Sequence, residues 1–135
     1  MYLLDTNILS ELIKRKPNVH LLARLDSEPA HVLFTSCICT MELRFGSALR
    51  DDFERFWQKI TKEIISRINI LSIGAKEALI AGDILAKLRT SGQIIGLEDV
   101  LIAASAITNQ YTVVTANTRH FSRIPGLEVQ NWLER

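Results

Sequence analysis

The chain has 135 residues, 47% of them hydrophobic and 23% charged, which suits one domain with a core of its own. No Gly/Ser/Pro-rich stretch, charge block or repeat divides it, so residues 1–135 read as a single unit. A net charge of +1 neither demands nor excludes nucleic acid, and the densest apolar run, Val100 to Ile107, is too short to span a bilayer.

Tyr2 to Leu4 reads as a short buried strand, entered directly from Met1 with no basic or apolar leader, which points to the cytoplasm. Asp5-Thr6-Asn7 is a strand-to-helix junction, because all three residue types serve as N-caps. Ile8, Leu9, Leu12 and Ile13 give helical spacing, and Pro17 ends that helix. The next helix runs near Asn18 to Asp26. Together these two helices carry Ile8, Leu9, Leu12, Ile13, Val19, Leu21, Leu22 and Leu25, more apolar residues than one small core is expected to absorb. Val32 to Thr35 is a second strand, followed by helices from about Cys37 to Leu49 and from about Asp51 to Arg67. Ile70 to Ile73 is a third strand. Ala75 to Leu88 is a long helix stopped at Ser91-Gly92. Gly96 precedes the most apolar helix, Leu97 to about Thr108. Thr112 to Thr115 is a fourth strand, and Leu127 to Val129 is placed to add an edge strand.

Strands alternating with helices imply an α/β fold: a parallel sheet of four to five short strands covered on both faces. In such sheets ligands sit outside the carboxyl ends of the strands. Asp5 lies just past the first strand and Asn117 just past the fourth.

Three carboxylates stand in unusual places. Asp5 closes an apolar strand, where it could also be a helix cap. Glu42 has Ile38, Cys39, Phe45 and Gly46 as its helical neighbours, an apolar stripe on which a lone carboxylate loses hydration unless paired, protonated or metal-bound. Asp99 begins a helix that is apolar nearly all round, and its own face continues through Ile102, Ala103 and Ala106. Pairing with the helix dipole accounts for an acid in the first turn but not on the buried face. Carboxylates about 5 Å apart repel by roughly 3 kcal/mol per pair at an effective dielectric near 20. A hard divalent cation offsets this, and oxygen ligands without His or Cys point to magnesium or manganese. The three histidines are scattered, and Cys37 and Cys39 are spaced as small buried hydrophobes rather than zinc ligands. The chemistry implied is metal-assisted phosphodiester hydrolysis. Basic side chains for a nucleic-acid face are present at Lys14-Arg15-Lys16, Arg44, Arg50, Arg119 and Arg123.

Leu4-Asp5-Thr6-Asn7, Met41 to Gly46, Gly96 to Ala104 and Val114 to Phe121, in this order, resemble the successive motifs of PIN-domain ribonucleases, and most closely those of VapC-type toxins of bacterial toxin–antitoxin pairs. The ending, Pro125-Gly126-Leu127 through Trp132, is similar too, so the resemblance covers essentially the whole chain. It implies a three-layer α/β/α fold and magnesium-dependent endoribonuclease activity on structured RNA such as tRNA or rRNA. It also implies a toxin dimer neutralised by a cognate antitoxin. By position, Asp5, Glu42 and Asp99 would hold the metal and activate water. Thr6 and Thr115 would orient carboxylates, and Asn117 would support the site. One departure stands out: many members carry a further acid in the last motif, where this chain has Asn117 and His120. Glu98 is not expected to replace it, since on a helix it points about 100° away from Asp99. A housekeeping RNA-processing nuclease and an inactive binding module with the same fold are the alternatives.

Overall fold

The computed structural model describes residues 1–135. Five parallel strands form one sheet in the order β3-β2-β1-β4-β5, where β1 is Tyr2–Leu4, β2 Leu33–Ser36, β3 Asn69–Leu71, β4 Thr112–Val114 and β5 Val129–Gln130. Seven helices flank it: α1 (Thr6–Leu12), α2 (Val19–Asp26), α3 (Cys37–Ala48), α4 (Phe53–Glu63), α5 (Ala75–Thr90), α6 (Leu97–Asn109) and α7 (Thr118–Phe121). Together sheet and helices make a three-layer α/β/α architecture. No helix is long and apolar enough to cross a membrane.

The central position of β1 follows from its sequence. Leu3 and Leu4 are both fully buried, as an unalternating apolar run must be in a parallel sheet covered on both faces. From β1 the chain steps outward to β2 and then β3. It then crosses through α5 and α6 to the other side of β1, for β4 and β5. The direction of travel reverses between β1 and β4, and the carboxyl ends of these two strands flank the crevice in which α/β sheets place their ligands.

Several boundaries differ from the sequence expectation. The helix expected over 51–67 ends at Glu63 and is followed by a single 3₁₀ turn, Ile65–Arg67, which aims the chain into β3. That strand begins one residue earlier than expected, where the Asn69 amide donates to the Ala30 and Leu33 carbonyls. Helix α7 has no counterpart in the sequence expectation, since four residues are too few to show a helical period. The apolar surplus assigned to the first two helices is also corrected. Ile8, Leu9, Leu21 and Leu25 are buried in the core and Leu12 and Ile13 pack against it, which leaves only Val19 and Leu22 exposed. The exposed apolar strip is instead on α3 and its C-cap, at Met41, Phe45 and Leu49, four residues apart on one side.

Candidate active site

Asp5 follows β1 and is fixed from both sides. Its N–H donates to the Val114 carbonyl at 2.9 Å, and its own carbonyl accepts from Ile8 and Leu9 to open α1. Asp5 is thus the N-cap of α1. The side chain is 5% exposed and its oxygens are heavily engaged. Oδ1 accepts from the Thr6 N–H at 2.8 Å, and Oδ2 accepts from the Thr115 hydroxyl at 2.8 Å and the Asn7 amide at 3.1 Å. A carboxylate offers about four acceptor directions. Three are used within the chain.

Thr115 follows β4 and is fully buried. A hydroxyl has one proton and two lone pairs, so its bonds can be assigned. The proton goes to Asp5, while the oxygen accepts from the Asn117 N–H at 2.9 Å and from the Asn7 amide at 3.3 Å. The Asn7 carbonyl oxygen in turn accepts from the Ala116 N–H at 3.0 Å. Asn7 thus ties the loop after β4 to the end of β1. Sequence reasoning places Asn7 only at the helix junction and misses this role. Its proximity to Asp5 in the chain is the available signal, but Thr115 is 110 positions from Asp5 and no local pattern links them.

Glu42 joins the group through Thr6, whose hydroxyl donates to Glu42 Oε1 at 2.9 Å. The apolar stripe around it is corrected. Helix α3 buries Cys39, Leu43 and Ser47, and Glu42 lies on the flank of that face, half-buried, while Phe45 is 66% exposed. Glu42 therefore reaches the site from the edge of the core rather than from inside it. Cys39 packs beneath, where burial pushes its thiol up to about 11 against hydrogen bonds with Thr35 and Thr6. It stays a protonated, inert packing group, as expected of a small buried hydrophobe.

Asp99 sits at the head of the buried face of α6, with Ile102, Ala103 and Ala106 fully buried below it. The helix opens on Gly96, which offers no side-chain cap, and Glu98 next to Asp99 is exposed. The neighbour of Asp99 is His120 on α7, whose Nδ1 lies 3.6 Å from Oδ2. The same Nδ1 is 2.8 Å from the Asn117 amide nitrogen. Asn117 thus makes two links, with its backbone on Thr115 and its side chain on His120.

The electrostatics connect these parts. Burial pushes the Asp5 carboxyl above its usual range. The hydrogen bonds from Thr115 and Thr6 pull the other way without prevailing, and the charges of Asp99 and Glu42 add to the upward push. No three or more of the His, Cys, Asp and Glu side chains close around a single metal-sized point. The chemistry of the donor set nonetheless fits an oxygen-seeking divalent cation: the charges of Asp99 and Glu42 both raise the cost of charging Asp5, the most buried of the three. A surface hollow lies elsewhere, beside α2 and lined by His20, Arg24, Trp132 and Arg135.

Known proteins share both the sequence and this fold. The PIN domain family matches over residues 2–127. Ribonuclease VapC2 of Haemophilus influenzae is 34% identical over 132 residues, covering 98% of this chain and 98% of its own. The tRNA(fMet)-specific endonuclease VapC of Salmonella typhimurium is 34% identical over 131 residues, covering 97% of each. Among solved structures, DNA-bound VapBC from Salmonella typhimurium superposes with a TM-score of 0.89 at 34% identity, covering 97% of each chain.

Proposed function

The chain belongs to the PIN-domain family, among its VapC ribonuclease toxins, and on that premise we propose that it is a magnesium-dependent endoribonuclease that cuts structured RNA, tRNA or rRNA. The observation that carries this reading is the state of Asp5. It is a buried carboxylate, hydrogen-bonded on both oxygens, held above its usual pKa by burial and by two further acids. A residue serving only as a helix cap gains nothing from the second and third charge.

Asp5, Glu42 and Asp99 would hold the cation, with manganese able to replace magnesium. When bound, such a cation stabilises charge on a phosphoryl group and makes a water easier to deprotonate. The chain's own groups set the geometry. Thr115 and Asn7 fix the Asp5 carboxylate plane, and Thr6 holds Asp5 and Glu42 in one frame, because its N–H binds the first and its hydroxyl the second. Asn117 keeps the Thr115 hydroxyl oxygen occupied, so that the hydroxyl proton stays on Asp5.

A cognate antitoxin is the proposed partner, in keeping with the VapBC complex that superposes on this chain. A homodimer is proposed with it. The exposed strip Met41, Phe45 and Leu49 is apolar surface that assembly would cover. Light scattering of the purified chain at micromolar concentration tests this: a monomer in which Phe45→Asp changes nothing would contradict the dimer.

One observation favours a second reading, a binding module with weak or no catalysis. The last motif supplies Asn117 and His120 rather than a further acid, and no three donors enclose a metal-sized point. Incubation with total RNA and tRNA separates the two. Cleavage in magnesium that stops on chelation, and stops equally in Asp5→Asn, supports the nuclease. RNA left intact under all conditions, with antitoxin still bound, supports the module.

A further inference from the structure

We propose that the outer face of α4, together with the turn after α1, is a docking rail for the sugar–phosphate backbone of RNA, set apart from the carboxylates. The inference rests on the proposed endoribonuclease reading and names where that substrate is held.

Many basic side chains are already committed within the chain. Arg44 stacks on Phe53 and Trp57, its guanidinium carbon 4.5 and 4.7 Å from the ring centres. Arg50 stacks on Phe56 at 3.8 Å and grips Asp52 through two hydrogen bonds. Arg24 lies over Tyr2 and Trp132 and pairs with Glu28, and Lys14 pairs with Glu11. Arg15, Lys16, Arg55, Lys59 and Lys62 differ: all five are exposed and none has an ion-pair partner.

These five lie together. Helix α4 buries Ile60 completely and packs Phe56 and Trp57 against the core. At about 100° per residue, Arg55, Lys59 and Lys62 fall within roughly 60° of one another on the far side of the helix. The two acids of α4, Glu54 and Glu63, sit on its flanks, outside this stripe. The stripe is about 10 Å long at the helical rise. Lys59 Nζ donates to the Ile13 carbonyl at 3.0 Å, which joins it to the turn that carries Arg15 and Lys16.

The chemistry of this face selects its occupant. No exposed large hydrophobic residue lies on α4, so the face lacks the apolar anchors on which protein interfaces centre, and lysine is depleted at such centres. A row of unpaired cations fits a polyanionic backbone, which releases counterions as it binds. The position fits as well. From Asp5 to Ile13 the chain follows α1 for roughly 12 Å, so the rail grips RNA away from the carboxylates and serves binding rather than the chemical step.

The test uses the whole chain and labelled bulk tRNA, kept intact by chelator, with affinity measured across a salt series. In Arg55→Gln/Lys59→Gln/Lys62→Gln the slope of log affinity against log salt should fall by about two to three, close to one per lost contact. Lys76→Gln/Lys87→Gln/Arg89→Gln removes three exposed charges from α5 and should keep the wild-type slope. Arg55→Gln/Lys62→Gln spares the Lys59–Ile13 hydrogen bond and should lower the slope by about one to two, which secures the result if the triple variant does not fold. In magnesium the α4 variants should cleave with raised KM and unchanged kcat. A slope equal to that of the wild type, or an equal fall in the α5 variant, overturns the rail. So does unchanged tRNA binding with loss of the cognate antitoxin, which would assign the face to a protein. In each of these cases wild-type cleavage that stops in Asp5→Asn leaves the nuclease reading standing. A wild type that neither binds nor cleaves tRNA or total RNA overturns both.

Discussion

The two halves of the candidate site are built differently. Around Asp5 nearly every polar atom has a partner within 3.3 Å, and Thr115, Asn7 and Thr6 lock the end of β1 to β4 and to α3. Around Asp99 the polar neighbour is an imidazole at 3.6 Å on a four-residue helix. The first half is preorganised: its cost is met on folding and its geometry does not wait for a ligand. The second can adjust. A tightly held carboxylate beside a less tightly held one suits the proposed site, which would admit a hydrated cation and a phosphodiester before tightening around them.

The comparison can be broken most severely at Asp5. Asp5→Asn should reduce RNA cleavage and growth arrest to background, since an amide oxygen is a poor substitute for a carboxylate toward magnesium. Near wild-type cleavage by this variant, shown free of contaminating nuclease, would leave the preorganised half without a catalytic purpose.

Thr115→Val sharpens the comparison, because it removes one hydroxyl and keeps the shape. It takes a hydrogen bond from a buried carboxylate and leaves the Asn117 N–H without its acceptor. Loss of a partner that orients a metal-binding carboxylate costs about 10–100-fold in metal affinity or activity. Magnesium titration of cleavage should show a drop of this order. Asn117→Ala, on the looser half, should cost less.

The pH dependence of the metal-free fold reads the same anchor. The Asp5 pKa is raised in the folded state, so the fold binds that proton more tightly than the unfolded chain does. The stability this contributes is fully present below the unfolded carboxyl value near ~3.9 and is lost as pH rises through the raised folded value. Urea melts in chelator at stepped pH should show a decline over that window, and the Asp5→Asn variant should lack it. An equal decline in both proteins would place the cause elsewhere.

Much of this is legible in the chain. Asp5, Asp99 and the strand ends are readable because burial and capping are local: an acid closing an apolar run, or heading a helix whose face is Ile102, Ala103 and Ala106, is conspicuous in one dimension. What stays hidden depends on tertiary placement. The sequence puts Glu42 on a buried stripe, but a one-residue rotation of α3 turns Cys39, Leu43 and Ser47 inward and Phe45 outward, and neighbouring residue types cannot distinguish these orientations. Asn7 and His120 meet partners, Thr115 and Asp99, that only the sheet order and α7 bring near. The apolar residues of α1 and α2 look like more than the core can hold, yet a sheet covered on both faces takes in all but Val19 and Leu22.

The smallest expected effect gives the most direct test of the central claim, that three carboxylates form one cation-holding site. Thermal melts of the wild type and Asp99→Asn are compared in chelator and in magnesium at fixed ionic strength. In chelator, removing one of three repelling charges should raise the melting point of the variant slightly, with the gain limited by solvent at the looser half. In magnesium at about one hundred times its dissociation constant, the wild type should gain about 2.7 kcal/mol, a rise of roughly 5 °C, and the variant much less. If Asp99→Asn instead lowers the melting point in chelator and keeps the full magnesium response, Asp99 serves the helix dipole alone and the three acids do not form one site.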